Sequence, residues 1–212
     1  TCEQDALILL ALSDYCETMH HQQIPAVDIL GEPHNLIRQH RRTVKPGTSL
    51  AKTTGRRSNF VEGPGCLNWE TTYEQLKWST DWLVSMGAGM QMPNDVAYSI
   101  AHRQHWVEGS LGYQWSMFDG MDSYENYVRR LYAAMQVGEH VVDIGVLYPS
   151  QTYQANFYPY PPADGDPNSL RTEEAQMILE GMDGVCGLLI ENGHDYEYVF
   201  PQVLLQGDVR DD

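Results

Sequence analysis

Glu62 closes the β-forming run Ser58-Asn59-Phe60-Val61-Glu62, and the turn-forming Gly63-Pro64-Gly65 follows it directly. This pattern puts a carboxylate at the carboxyl end of a strand, the edge where parallel α/β sheets and barrels hold their ligands. Asp28 and Glu32 stand at the same end of an earlier apolar run, Ile24 to Leu30, and Asn94 and Asp95 follow a third, Gly89 to Pro93. Three successive strand ends carrying carboxylate or amide groups suit cleavage of a glycosidic bond. That reaction needs two carboxylates flanking the bond, one as acid and one as base or nucleophile. The plainer reading of each acid is a helix cap or a solvated loop charge. Trp69, Trp106, Tyr113 and Trp115 read first as core packing, and second as flat apolar surfaces that could stack on a sugar.

Other chemistries find less support. His20-His21 is an adjacent pair, His102-x-x-His105 has no acidic third ligand nearby, and H-E-x-x-H is absent, so no metal site is expected. There is no G-x-S-x-G elbow, P-loop or G-x-G-x-x-G fingerprint. Cys2, Cys16, Cys66 and Cys186 are far apart with no C-x-x-C pair, and read as free, mostly buried thiols.

The elements that must position these residues alternate between strand and helix. Asp5 to His21 has the apolar spacing of a buried helix, and Ile24 to Leu30 reads as a strand. Residues 34–47 carry Arg38, Arg41, Arg42 and Lys45 and read as an exposed loop or helix, with a short helix over Thr48 to Thr54. Thr71-Thr72-Tyr73-Glu74 is a capping box that opens a helix closed by Gly87. Gly89 to Pro93 is a third strand, and residues 94–118 form a long irregular segment. A helix follows over Ser123 to Gln136, with Gly138 as its cap. Val141 to Leu147 is β-rich in the manner of a strand covered on both faces, and residues 158–168 form a Pro-rich loop. Thr172 to Glu191 is an amphipathic helix, and Tyr196 to Val199 a last strand. This order predicts an α/β fold divided near residue 138.

Composition narrows the function classes. Across 212 residues, 42% hydrophobic and 10% aromatic content supports a real core. Lys and Arg number 13 against 29 Asp and Glu, giving −16, which argues against a nucleic-acid partner. Seven basic and six acidic residues make the first 57 positions nearly neutral, so the acidity lies in the rest of the chain. No apolar run approaches the ~20 residues that span a bilayer. The chain begins at Thr1 inside a helix-like stretch, and reads as a piece of a longer protein whose compartment is therefore not legible.

Two longer runs carry a family likeness. Glu62-Gly63-Pro64-Gly65-Cys66-Leu67-Asn68-Trp69, then Glu74-Gln75-Leu76-Lys77-Trp78-Ser79-Thr80-Asp81-Trp82, resemble a Ser-Glu-x-x-Gly-Cys-x-x-Trp stretch followed by Glu-Asp-x-Lys-Trp-x-x-Asp-Trp. That pattern belongs to large glycoside hydrolases of the α-L-rhamnosidase type (family 106 and relatives). Ile24 to Gly31, Tyr98-Ser99-Ile100, Gly112-Tyr113-Gln114, Asp143 to Ser150 and Asp195 to Val199 share further marks with it in the same order.

The resemblance implies the C-terminal part of a TIM-type (β/α)8 barrel over residues 1–138, and over 139–212 the start of a flavodoxin-like α/β domain, as in β-galactosidase-type architectures. It implies a hydrolase acting on a glycoside or polysaccharide, with Glu62 as one of two catalytic carboxylates and its partner on an earlier barrel strand outside this chain. Asp28, Glu32, Asn68, Trp69, Asn94, Tyr98 and Trp115 are then the candidates for carbohydrate contact. No cofactor is expected; relatives of this type can carry calcium, but no D-x-D-x-D-G loop supports it here. The alternative is a non-catalytic carbohydrate-binding or scaffold homologue, favoured by His102-Arg103-Gln104-His105-Trp106-Val107-Glu108 where the family has Arg-Lys-x-Asp-x-Pro-Pro. A free-standing α/β domain that binds a small ligand where strand order switches fits the layers but not the motif order.

Overall fold

The computed structural model describes residues 15–19, 44–53, 58–63, 69, 71–93, 96, 99–101, 111–156 and 172–206. Strand β1, Tyr15–Met19, lies parallel to β2, Ser58–Glu62, which lies parallel to β3, Gln91–Met92. β2 is the middle strand, and its register sets Met19 and Met92 on either side of Glu62. Parallel neighbours need crossovers, and helices supply them: α1 over residues 44–53 between β1 and β2, and α2, Tyr73–Ser85, between β2 and β3. Beyond β3 come a 3-10 turn, Phe118–Gly120, and α3, Met121–Met135. A second parallel pair, β4 (Gly145–Leu147) and β5 (Glu197–Val199), is joined through α4 (Ser150–Ala155) and α5 (Glu173–Glu191), and α6 is Pro201–Gln206. The architecture is mixed α/β with parallel strands; among the described residues the sheets have three and two strands, and neither closes into a barrel.

Several expectations change. Residues 15–19 are a strand and not the end of a helix, because Tyr15, Cys16 and Thr18 favour extended backbone and β2 supplies a partner along their whole length. The neighbour of β2 is therefore Tyr15–Met19, and the expected strand Ile24 to Leu30 lies outside the described residues. Lys45, expected on an exposed stretch, sits fully buried in the first turn of α1, which is already helical at Val44. Pro46-Gly47 looks like turn punctuation, yet a proline fits a first helical turn whose N–H groups lack partners anyway. The capping box shifts by one residue: Thr72 accepts from the Gln75 N–H at 3.3 Å, and the Gln75 side chain accepts from the Thr72 N–H at 2.8 Å. β4 is shorter than expected and not covered on both faces, with Leu147 56% exposed. Helices α4 and α6 were not anticipated, and the Pro-rich loop at 158–168 lies outside the described residues.

Among the described residues, three apolar clusters hold the fold. Under β2, Val61 packs with Val44 of α1, Leu83 and Val84 of α2, Ala88, and Tyr132 of α3. Leu76, Leu111, Trp115 and Tyr124 form a second cluster, in which Trp115 meets the Tyr73 ring edge-on at 5.2 Å. In the third, Ala175, Leu179, Met182 and Cys186 line one face of α5 at helical spacing and meet Tyr148, Tyr196, Tyr198 and Phe200. Leu50 and Ala51 belong to this third cluster although Val44, two turns earlier in the same helix, belongs to the first. One helix thus joins the core beneath β2 to the core of residues 139–206.

Gly87, at φ +90°, closes α2, its N–H donating to the Val84 carbonyl at 2.9 Å. Inside α5 the situation differs: a Cβ added at Gly181 or Gly184 would meet nothing within 4 Å. Glycine in a helix interior costs ~1 kcal/mol relative to alanine, so Gly181→Ala and Gly184→Ala should each raise stability by roughly 0.5–1 kcal/mol. Urea unfolding checks this, and a loss of stability would show that this face of α5 is already covered by something a methyl group displaces.

Candidate functional site

The candidate site is the carboxyl edge of the β1–β2–β3 sheet. The ladder is continuous up to that edge, with the Val61 N–H donating to the Met90 carbonyl at 2.9 Å and the Gly63 N–H to the Met92 carbonyl at 2.8 Å. Glu62 is therefore the last paired residue of the central strand, bracketed by backbone hydrogen bonds on both sides. Asn59 and Val61 are buried, Val61 against the helices, and alternation along the strand puts Phe60 on the opposite sheet face.

The helical side is braced by a chain of hydroxyl and amide groups. Tyr132 donates to the Gln91 side-chain oxygen Oε1 at 3.2 Å, the Gln91 side-chain Nε2 donates to the Tyr124 hydroxyl at 3.1 Å, and that hydroxyl lies 2.7 Å from Thr80 Oγ1. Burial raises the Tyr124 hydroxyl above the usual phenol range and the Tyr132 hydroxyl well above it, so both keep their protons throughout the working pH range. These bonds tie β3 to α2 and α3. The Asn59 side chain adds an acceptor for the Gly89 N–H at 3.0 Å, and Thr48 of α1 donates to the Met86 carbonyl at 2.9 Å. Helices and sheet together hold the backbone of the edge.

Of the sequence-predicted site residues, Asp28, Glu32, Asn68, Asn94 and Tyr98 lie outside the described residues. Glu62 is placed as expected on its strand by the backbone. Trp69 is 38% exposed just before α2, a position open to solvent. Trp115 is 3% exposed and packed among Leu76, Leu111, Tyr73 and Tyr124, so stacking on a sugar would need a ring face that this packing covers.

Sequence reasoning missed a second polar cluster, away from the sheet edge. Glu197 of β5, its side chain 10% exposed, accepts a short hydrogen bond from Ser49 and lies 2.5 Å from Lys52 Nζ, 3.6 Å from Lys45 Nζ and 2.9 Å from His140 Nδ1. Asp195 lies 3.4 Å from Lys45 Nζ and 2.7 Å from His140 Nε2. Ser49 Oγ also accepts from the Tyr198 N–H at 3.0 Å, and Lys45 Nζ sits 5.6 Å from the Tyr196 ring centre. Burial alone would raise both carboxyl groups, but the Lys45 charge and the hydrogen bonds outweigh it and hold Asp195 and Glu197 below the usual carboxylate range. The two lysines and two carboxylates balance in charge, which is the arrangement of a structural ion network.

No protein-family profile matches the chain, and no curated protein does. Among solved structures, a rhamnosidase from Novosphingobium sp. PP1Y superposes with a TM-score of 0.61 at 16% identity, over 97% of this chain and 17% of that one. The chain spans about one sixth of the length of that protein. It therefore shares the mixed α/β fold of one part of a rhamnosidase, with its parallel strands in place.

Proposed function

We propose that this chain is part of a glycoside hydrolase of the rhamnosidase type, and that Glu62 acts on the glycosidic bond as general base or nucleophile. The observation that carries the reading is the backbone position of Glu62, the last paired residue of the central parallel strand, in a fold shared with part of a rhamnosidase. Carboxyl ends of parallel strands converge on one edge, so acids at several of them reach a common ligand. On this reading residues 1–138 are the C-terminal part of a TIM-type barrel, and residues 139–212 open a flavodoxin-like domain that shares α1 with it. The carbohydrate lies over the sheet edge and takes contacts from Asp28, Glu32, Asn68, Trp69, Asn94 and Tyr98. Trp115 contributes from beneath, as packing.

In the reaction Glu62 is ionised. In an inverting enzyme it takes a proton from the water that attacks the anomeric carbon, with the second acid roughly 6.5–9.5 Å away protonating the leaving oxygen. In a retaining enzyme it attacks that carbon itself while the second acid, roughly 5–5.5 Å away, protonates the departing oxygen, and that acid then deprotonates the water that hydrolyses the glycosyl-enzyme and frees Glu62. The test is turnover of an aryl α-L-rhamnoside by the whole protein that contains these residues, compared with its Glu62→Gln variant. Release that depends on Glu62 supports the proposal. Sugar binding without release supports instead a carbohydrate-binding homologue, the reading that the altered segment at 102–108 favours.

A further inference from the structure

The cluster around Glu197 joins parts of the chain that lie far apart in sequence. Lys45, Ser49 and Lys52 come from α1, His140 from the segment after α3, and Asp195 and Glu197 from the start of β5. Among the described residues, Lys45, Lys52 and His140 face Glu197, and Asp195 stands beside it on the same segment. The apolar part of the α1 contact with the 139–206 core is small, supplied from α1 by Leu50 and Ala51. Lys45 is the critical member, because its side chain is 2% exposed and its countercharges are Asp195 and Glu197. An ammonium group this deeply buried is tolerated only while it is paired.

We propose that this cluster is a proton-operated clasp, in which acid neutralises Glu197 and Asp195, strands the buried Lys45 charge, and releases residues 139–206 from α1 while the core beneath β2 stays folded. Both carboxyl groups are held below their ordinary range in the folded protein. Their contribution is therefore complete at neutral pH, and is lost as pH falls through the ordinary carboxylate range and below it. His140 belongs to the same network, its Nδ1 lying 2.8 Å from Lys52 Nζ and 2.9 Å from Glu197 Oε1. The core beneath β2 has no such dependence in its packing, which is formed by Val44, Val61, Leu83, Val84, Ala88 and Tyr132.

Hydrogen exchange on the full chain, corrected for the intrinsic pH dependence of amide exchange, reads the two regions separately. As pH falls from about 6 to about 3, peptides covering residues 44–53 and 197–206 should lose at least tenfold in protection before peptides covering 73–85 and 121–135 do. Lys52→Gln, which removes the more exposed of the two lysines, should move that loss to higher pH, and Glu197→Gln should show it already at neutral pH. Loss of protection in all four regions at one pH, or a Lys52→Gln profile identical to that of the wild type, would overturn the clasp. Both readouts are independent of whether the sheet edge cleaves a sugar.

Discussion

Glu62→Gln in the whole protein should lower kcat on an aryl α-L-rhamnoside by at least about a thousandfold, and leave KM within a few-fold of the wild type. Three decades correspond to ~4 kcal/mol of transition-state stabilisation, the scale expected when a base or nucleophile is removed. The substitution keeps the side-chain volume and alters only the charge and basicity of one group. Fold stability should follow the backbone ladder on either side of position 62, formed by Val61 and Gly63, which does not use the Glu62 side chain. A fall in kcat with KM preserved marks a group needed only in the transition state, whereas a rise in KM alone would mark a sugar contact. Steady-state kinetics with a thermal melt of the same preparations separates these outcomes.

Glu197→Gln should destabilise the fold by roughly 3 kcal/mol, because it leaves the Lys45 charge buried and facing a single, partly exposed carboxylate. The amide still accepts from Ser49, so most of this loss is electrostatic and little of it is a missing hydrogen bond. Lys45→Met should cost less, since Glu197 retains Lys52 and His140. The double variant should be more stable than the sum of the two single losses implies, because the uncompensated charge has gone along with its partner. Denaturant unfolding of the four proteins supplies the cycle. Strict additivity would mean that Lys45 and Glu197 are not energetically coupled, despite the 3.6 Å between them.

Elements written in local chemistry were legible from the sequence. Ser58–Glu62 was readable to the residue, since its apolar run ends in Gly-Pro-Gly. Glu173–Glu191 followed from the spacing of Ala175, Leu179, Met182 and Cys186; the structure adds the Thr172 cap, whose hydroxyl accepts from the Ala175 N–H at 3.1 Å. The one-residue shift of the capping box reflects a genuine local tie. Thr71 and Thr72 both suit an N-cap, Glu74 and Gln75 both suit the third helical position, and the choice falls to packing that buries Thr71.

Elements that depend on distant partners were not legible. Tyr15–Met19 has apolar residues compatible with a helix, and becomes a strand because Ser58–Glu62, more than 40 residues later, pairs with it in register. Lys45 reads as one more surface cation in a basic stretch, and its burial becomes intelligible only beside Asp195, 150 residues away. The division at residue 138 follows a change in local pattern, whereas Leu50 and Ala51 carry the later core across it. At the candidate site the same distinction holds: position 62 was marked by its strand and turn, while the core packing of Trp115 depends on α2 and α3 closing over it.

The most direct measurement is an experimental structure of the whole protein with a rhamnoside or its product bound. The account predicts the sugar over the carboxyl edge of the β1–β2–β3 sheet. A Glu62 oxygen should lie within about 3.5 Å of the anomeric carbon or of the water poised to attack it, and a second carboxyl group should stand at one of the two separations that define inversion or retention. A sugar seated elsewhere, or Glu62 held in an ion pair turned away from it, would contradict the account.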